Sequence, residues 1–229
     1  MKPTSVHKPI WLFALLILAL AQSACNYATQ TAGETATPPQ VTQASASCEN
    51  KYFPGKNGST RIFSSNSGST EQVAISQLKA GSFEEDWQTN PVNGQKSLST
   101  YFWKCTSAGL LLTGTNTATF VFQSGVAIPA SFKAGDQWTN NYGDLSNTFT
   151  DSYKAIGEES VTVPAGTFTA MKIQVSSVSQ GKSSGAVTGK TDGFEWWAAG
   201  IGRIKSSYTH TSKTTTTQID NDLQSYNNP

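Results

Sequence analysis

After residue 25 the chain shows almost no helical periodicity. Short segments rich in β-branched and aromatic residues are instead separated by Gly, Asn and Ser, which is how strands and tight turns read in sequence. The pattern predicts strands over Thr60–Ser64, Glu71–Leu78, Phe83–Gln88, Ser97–Cys105, Gly109–Gly114 and Ala118–Gln123. Further strands are predicted over Thr148–Glu158, Ser160–Val163, Thr167–Val175, Thr191–Ala198, Arg203–Tyr208 and Lys213–Asp220. Alternation puts Val73 and Ile75 on one face, and likewise Leu98 with Phe102, Phe120 with Phe122, and Met171 with Ile173 and Val175. Pro164-Ala165-Gly166 and Gly200-Ile201-Gly202 read as turns. This many short strands predict an all-β meander that curls into a barrel, half-barrel or sandwich.

The start of the chain is different. Lys2, His7 and Lys8 precede an unbroken apolar run from Ile10 to Ala21, after which small residues lead to Cys25. As a helix that run is about 18 Å long, whereas a hydrocarbon core is about 30 Å thick. Residues 1–24 therefore read as a secretory signal peptide. Two cuts are open. Ala19-Leu20-Ala21 fits ordinary cleavage and a soluble product starting at Gln22. Ser23-Ala24-Cys25 resembles the end of a bacterial lipoprotein signal, with lipid on the Cys25 thiol, although Gln22 stands where that pattern prefers an aliphatic residue.

Cysteine parity favours the second cut. The chain has three cysteines, Cys25, Cys48 and Cys105. Exported proteins seldom keep an unpaired thiol, so lipid on Cys25 leaves Cys48 and Cys105 to form a disulfide. Residues 26–47 are rich in Thr, Ala, Gln, Ser and Pro, and 25–47 thus read as a disordered tether after the lipid site. Residues 48–229 remain as a single all-β domain of about 180 residues, within the range of one hydrophobic core.

Composition narrows the partners. Charged residues make up 14% of the chain, against about 25% in typical domains. Removing Lys2 and Lys8 leaves the chain close to neutral, with no basic cluster, which argues against a nucleic-acid partner.

Four short motifs occur in an ordered series: Tyr52-Phe53-Pro54; Pro129 followed by Gly135-Asp136-Gln137-Trp138; Val163 to Phe168; and Trp197 to Lys205. In this series, from roughly Tyr52 to Tyr208, the chain resembles a loose group of exported bacterial lipoproteins. The resemblance implies a curved antiparallel sheet similar to the half-barrels of periplasmic lipoprotein carriers. It supplies no catalytic residues, since its Gly and Trp positions are turns and apolar plugs. One departure stands out: the group's opening step continues through a Trp, and Asn57-Gly58-Ser59-Thr60-Arg61 has none.

Catalytic patterns are sparse. With His7 lost in the leader, His210 is the remaining histidine, and no Gly-x-Ser-x-Gly elbow is present to offer a nucleophile. No Cys-x-x-Cys or His-x-x-x-His spacing suggests a metal, and Asp220-Asn221-Asp222 lacks the other ligands of a calcium loop. Glu84-Glu85-Asp86 and Glu158-Glu159 are strand neighbours that point to opposite faces, and they read as solvated strand edges. The aromatics carry more. Trp87, Trp103, Trp138, Trp196 and Trp197 either fill the core or line a concave pocket for a hydrophobic ligand. Adjacent Trp196 and Trp197 must face opposite ways if extended.

The sequence thus predicts a non-enzymatic lipoprotein held to the membrane of the cell envelope through Cys25. It would need no cofactor, and its partner would be a hydrophobic small molecule or an envelope protein. The rivals are an envelope polysaccharide hydrolase with dispersed carboxylates, and a scaffold for a partner protein.

Overall fold

A computed structural model describes residues 48, 50–53, 55–117 and 120–229, without the side chains of 121–123. The signal segment, Cys25 and the 25–47 tether lie outside the described residues. The strands are β1 (Thr60–Ser65), β2 (Thr70–Lys79), β3 (Ser82–Asn90), β4 (Ser97–Thr106), β5 (Gly109–Thr115) and β6 (Val121–Gly125). They continue with β7 (Ile128–Pro129), β8 (Gln137–Gly143), β9 (Asn147–Val163), β10 (Gly166–Gly181), β11 (Val187–Ala198), β12 (Gly202–Ser212) and β13 (Thr216–Asn227).

All thirteen belong to one antiparallel sheet, in the order β6-β8-β9-β10-β11-β12-β13-β1-β2-β3-β4-β5-β7. The order has two ends, so the sheet is a curved, unclosed meander, as a half-barrel requires. Sequence neighbours are sheet neighbours almost throughout, because short turns join antiparallel strands without a crossover. The segment between the ends serves both: β6 pairs with β8, and β7 pairs with β5.

Two strands escaped the alternation pattern. β7 is a two-residue pairing, and β8 reads Gln-Trp-Thr-Asn-Asn-Tyr-Gly, too polar to show a two-residue rhythm. The expected break at Glu159 is also absent. β9 and β10 pair continuously from Val163↔Gly166 to Asn147↔Gly181, with a bulge where Lys172 faces Gly157 and Ile173 faces Ala155. That bulge leaves Ile156 unpaired and shifts the face that each later residue of β9 presents. Leu98 and Phe102 share a strand face as expected, yet Leu98 is 58% exposed.

Apolar burial falls into three clusters. Phe63, Val73, Ile204 and Leu223 pack with Val161, Val163, Ala170, Trp196 and Ala198. The β9–β10 turn is pinned there by the Ala165 amide, which donates to the Leu223 carbonyl at 3.0 Å. A second cluster joins Phe53, Ile75, Phe83, Leu110 and Ile128 to Cys48 and Cys105. The third holds Tyr52, Ala155, Met171, Ile173 and Val175.

Candidate functional site

The inside of the curve is largely filled from the N-terminal side of the domain. Cys48 is disulfide-bonded to Cys105 of β4, with Cα atoms 5.2 Å apart. Just beyond it, Tyr52 and Phe53 are only 2% and 3% exposed. Phe53 packs its ring 5.4 Å from Phe83, 5.7 Å from Trp103 and 6.4 Å from Trp197. Tyr52 stacks on Phe132 at 4.6 Å, Phe132 lies 5.0 Å from Trp138, and Trp138 stacks on Tyr153 at 5.1 Å. Gly55 permits the turn back into β1: a Cβ there would sit 2.5 Å from the Cys48 carbonyl oxygen. The resemblance motif Tyr52-Phe53 is therefore a plug, with Pro54 outside the described residues.

Beside the plug lies a cavity of about 160 Å³. Its walls come from β1, β3, β4, β7, β9, β11 and β12, which span most of the sheet order, and this places it within the curve. Phe53, Phe63, Trp87, Trp103, Tyr153 and Trp197 supply aromatic surface, and Ala127 and Ile128 close one side. Four charged side chains also line it: Arg61, Glu85, Glu195 and Arg203.

These charges are paired. Arg61 Nη2 donates to Glu85 Oε1 at 2.6 Å. Arg203 Nη1 donates to Glu195 Oε1 at 3.3 Å, and the Tyr208 hydroxyl donates to the same oxygen. Glu195 Oε2 accepts from Trp197 Nε1 at 2.7 Å. Arg203 also lies over the Trp87 and Phe63 rings, at 5.1 and 5.6 Å, where the ring faces attract its charge.

Burial acts on both guanidiniums with different results. Desolvation pulls Arg61 below its ordinary pKa, and Glu85 offsets that only in part. Desolvation opposes charge on Arg203 too, but Tyr208, Glu195, Glu71 and Glu85 more than compensate and raise it. Burial first, then the Glu195 charge, pushes the Tyr208 hydroxyl well above the usual phenol range, so it acts as a donor. Farther along β9, burial also raises the Asp151 carboxyl, against hydrogen bonds that include Ser177 at 2.6 Å and Tyr153 at 3.4 Å.

The five tryptophans are divided. Trp87, Trp103 and Trp197 line the cavity, while Trp138 joins Trp197 at a void of about 10 Å³ next to it. Trp196 lines neither. It belongs with Ala170 and Ala198, donates from Nε1 to Glu159 at 2.5 Å, and lies under Lys172 and Lys205. The adjacent pair does face opposite ways. The indole N–H groups of Trp87 and Trp103 are buried without a hydrogen-bond partner among the described residues.

Glu85 corrects the reading of Glu84-Glu85-Asp86 as a solvated edge. It shares its strand face with Phe83 and Trp87, so β3 turns it inward, and it is 4% exposed. Glu84 and Asp86, on the other face, bond to Gln77, Ser76 and Thr100. Glu158 and Glu159 do lie exposed, as read; Glu158 accepts from the Tyr52 hydroxyl at 3.1 Å and pairs with Lys51. His210 meets Thr191 Oγ1 at 2.9 Å, on β12 opposite β11 and away from the cavity walls. Among the described residues no group of three His, Cys, Asp or Glu is placed to hold a metal ion.

Arg61, Glu195 and Arg203 were missed. The first two carried a readable signal, a charge two residues from an inward aromatic: Arg61 with Phe63, and Glu195 with Trp197. Arg203 carried none. Alternation from Tyr208, Ser206 and Ile204 sends it to the opposite face. A bulge that pairs Trp196 with Lys205 and Trp197 with Arg203 brings it back inside.

This architecture can be set beside known proteins. A family model described as DUF3108-like matches residues 137–219, which run from β8 into β13. A Bacteroides fragilis protein, described as exported and as having a YmcC-like fold, superposes with a TM-score of 0.53 at 14% identity. The match covers 78% of this chain and 100% of that one. The shared fold is YmcC-like. A Parabacteroides distasonis protein described as a lipoprotein is similar at a TM-score of 0.49 and 17% identity, covering 78% of this chain and 99% of that one. No curated protein matches the sequence.

Proposed function

We propose that this is an exported protein, anchored through lipid on Cys25 in the cell envelope, whose all-β domain is a binding module without covalent chemistry. The leader, the Cys25 context and the tether support the anchored location. The carrying observation for binding is the cavity of about 160 Å³ walled by aromatic rings inside the curved sheet.

Size limits what it holds. Pockets for drug-sized ligands are about 300–1,000 Å³, so this cavity takes a small group and not a long acyl chain. The plug fills much of the remaining interior, which separates this domain from an open carrier of whole lipids.

A hydrolase needs one carboxyl free to donate a proton and a second free to attack or to activate water. Glu85 and Glu195 do line the same cavity, but Glu85 is ion-paired through Oε1 to Arg61, and both oxygens of Glu195 are engaged by Arg203, Tyr208 and Trp197. Binding is the reading that this pairing favours.

Native mass spectrometry of the protein purified from membranes tests it. The expected result is a retained small molecule that is absent from an Ala127→Trp variant of unchanged melting temperature. Identical spectra without adduct for both proteins would overturn the binding reading.

A further inference from the structure

The walls of the cavity specify a class of ligand, an inference that rests on the binding reading above. Its volume of about 160 Å³ is close to the roughly 150 Å³ engineered cavity that holds one benzene. The body of one six-membered ring therefore fits, and ring substituents, which benzene lacks, must reach the open mouth of the cavity.

Charge comes next. The wall carries two guanidiniums and two carboxylates, so its formal charges cancel. A charged ligand would add an unbalanced charge in a buried setting, which is strongly unfavourable. A wholly apolar ligand fails differently. A guanidinium has five N–H donors. Among the described residues Arg61 donates one hydrogen bond, to Glu85, and Arg203 donates to Glu195 and also interacts with the Tyr208 hydroxyl, so most of the ten donors remain open. Glu85 Oε2 accepts none from those residues, whereas both oxygens of Glu195 are engaged. Displacing water with hydrocarbon would leave these groups unpaired, at the full desolvation penalty of each.

The ligand must then be neutral, ring-sized and rich in both donors and acceptors, with flat apolar faces for the surrounding indoles and phenyl rings. A pyranose meets each requirement: C–H groups on its faces and hydroxyls around its rim. We propose that the cavity binds a single uncharged pyranose unit, its hydroxyls directed to Arg61, Arg203 and Glu85.

Saturation-transfer NMR on the disulfide-intact protein tests this with single-ring probes. The neutral arm is the methyl pyranosides of glucose, galactose, mannose and N-acetylglucosamine; glucuronate is the charged arm and benzene the apolar one. At least one neutral pyranoside should receive saturation and bind at least tenfold more tightly than glucuronate. Arg61→Lys should weaken it at least tenfold, and Ala127→Trp, which fills the space without altering a charge, should abolish it. Glucuronate binding as tightly as the pyranosides, or benzene binding alone, would overturn the ligand class while leaving a binding module in place. If none of the probes binds, the pyranose proposal falls, and the native mass spectra decide the binding reading separately.

Discussion

Arg61 of β1 reaches across β2 to Glu85 of β3, and the two side chains meet at 2.6 Å with 6% and 5% of their surfaces exposed. The register explains the reach: Arg61 faces Val73, and Val73 faces Trp87, so Glu85 lies one inward position away along β3. Removing one partner of such a pair strands the other charge in the interior, at about 3–5 kcal/mol, whereas replacing both with apolar residues is often neutral. Glu85→Leu should therefore lose about that much in urea unfolding, and Arg61→Met with Glu85→Leu should recover most of it. Equal losses in the single and double variants would show that the pair is not the source.

The disulfide should matter most for the plug. Cys48 and Cys105 are separated by 57 residues, for which the chain-entropy relation gives about 4 kcal/mol. Among the described residues the plug contributes no rung to the sheet ladder. Apart from buried rings, it is held by the Asn50 side chain on the Pro129 carbonyl at 2.6 Å and the Gly200 amide on the Lys51 carbonyl at 2.8 Å, with Tyr52 on Glu158. Replacing both cysteines with Ser should lower stability by about that amount and speed hydrogen exchange at Tyr52 and Phe53, while β9 and β10 keep their protection. Unchanged exchange at the plug would show that its rings hold it unaided.

Legibility followed the physics of alternation. Where a strand buries one face and wets the other, as Val73 with Ile75 and Met171 with Ile173 and Val175, the rhythm located it. β8 escaped because its buried Asn140 is as polar as the exposed Thr139 and half-buried Asn141 beside it, and the break expected at Glu159 is instead a bulge three residues earlier. The tryptophans pointed to the cavity, but its charges did not stand out. A buried charge looks like any other in sequence unless its strand parity is followed, and at Arg203 a bulge defeats parity as well.

Gly193 is a sharper case of backbone packing. It faces Tyr208 across β11 and β12, and a Cβ there would lie 2.1 Å from the Ser207 carbonyl oxygen and 2.8 Å from the Tyr208 Cα. Both obstacles are backbone, so rotamer changes cannot relieve them. Gly193→Ala should push β12 from β11 and destabilise by about 1–3 kcal/mol, the usual range for overpacking. It should also loosen Tyr208 and with it the hydrogen bond to Glu195. A thermal melt matching wild type would refute the close approach.

Asp151 sets a pH dependence. Burial raises its folded-state pKa above the ordinary 3.8, despite the hydrogen bonds it accepts. The fold therefore holds this proton more tightly than the unfolded chain does. Its stabilising contribution is complete below pH 3.8 and is lost as pH rises through the higher folded value. Asp151→Asn removes the titration while keeping an oxygen for the Ser177 hydroxyl. The stability of wild type relative to Asp151→Asn should accordingly fall as pH climbs from about 3.8 through the folded-state value and then level off. Denaturant midpoints for the two proteins across this range provide the measurement. A difference that stays flat, or grows in favour of wild type with rising pH, would mean that the hydrogen bonds outweigh burial at this carboxyl.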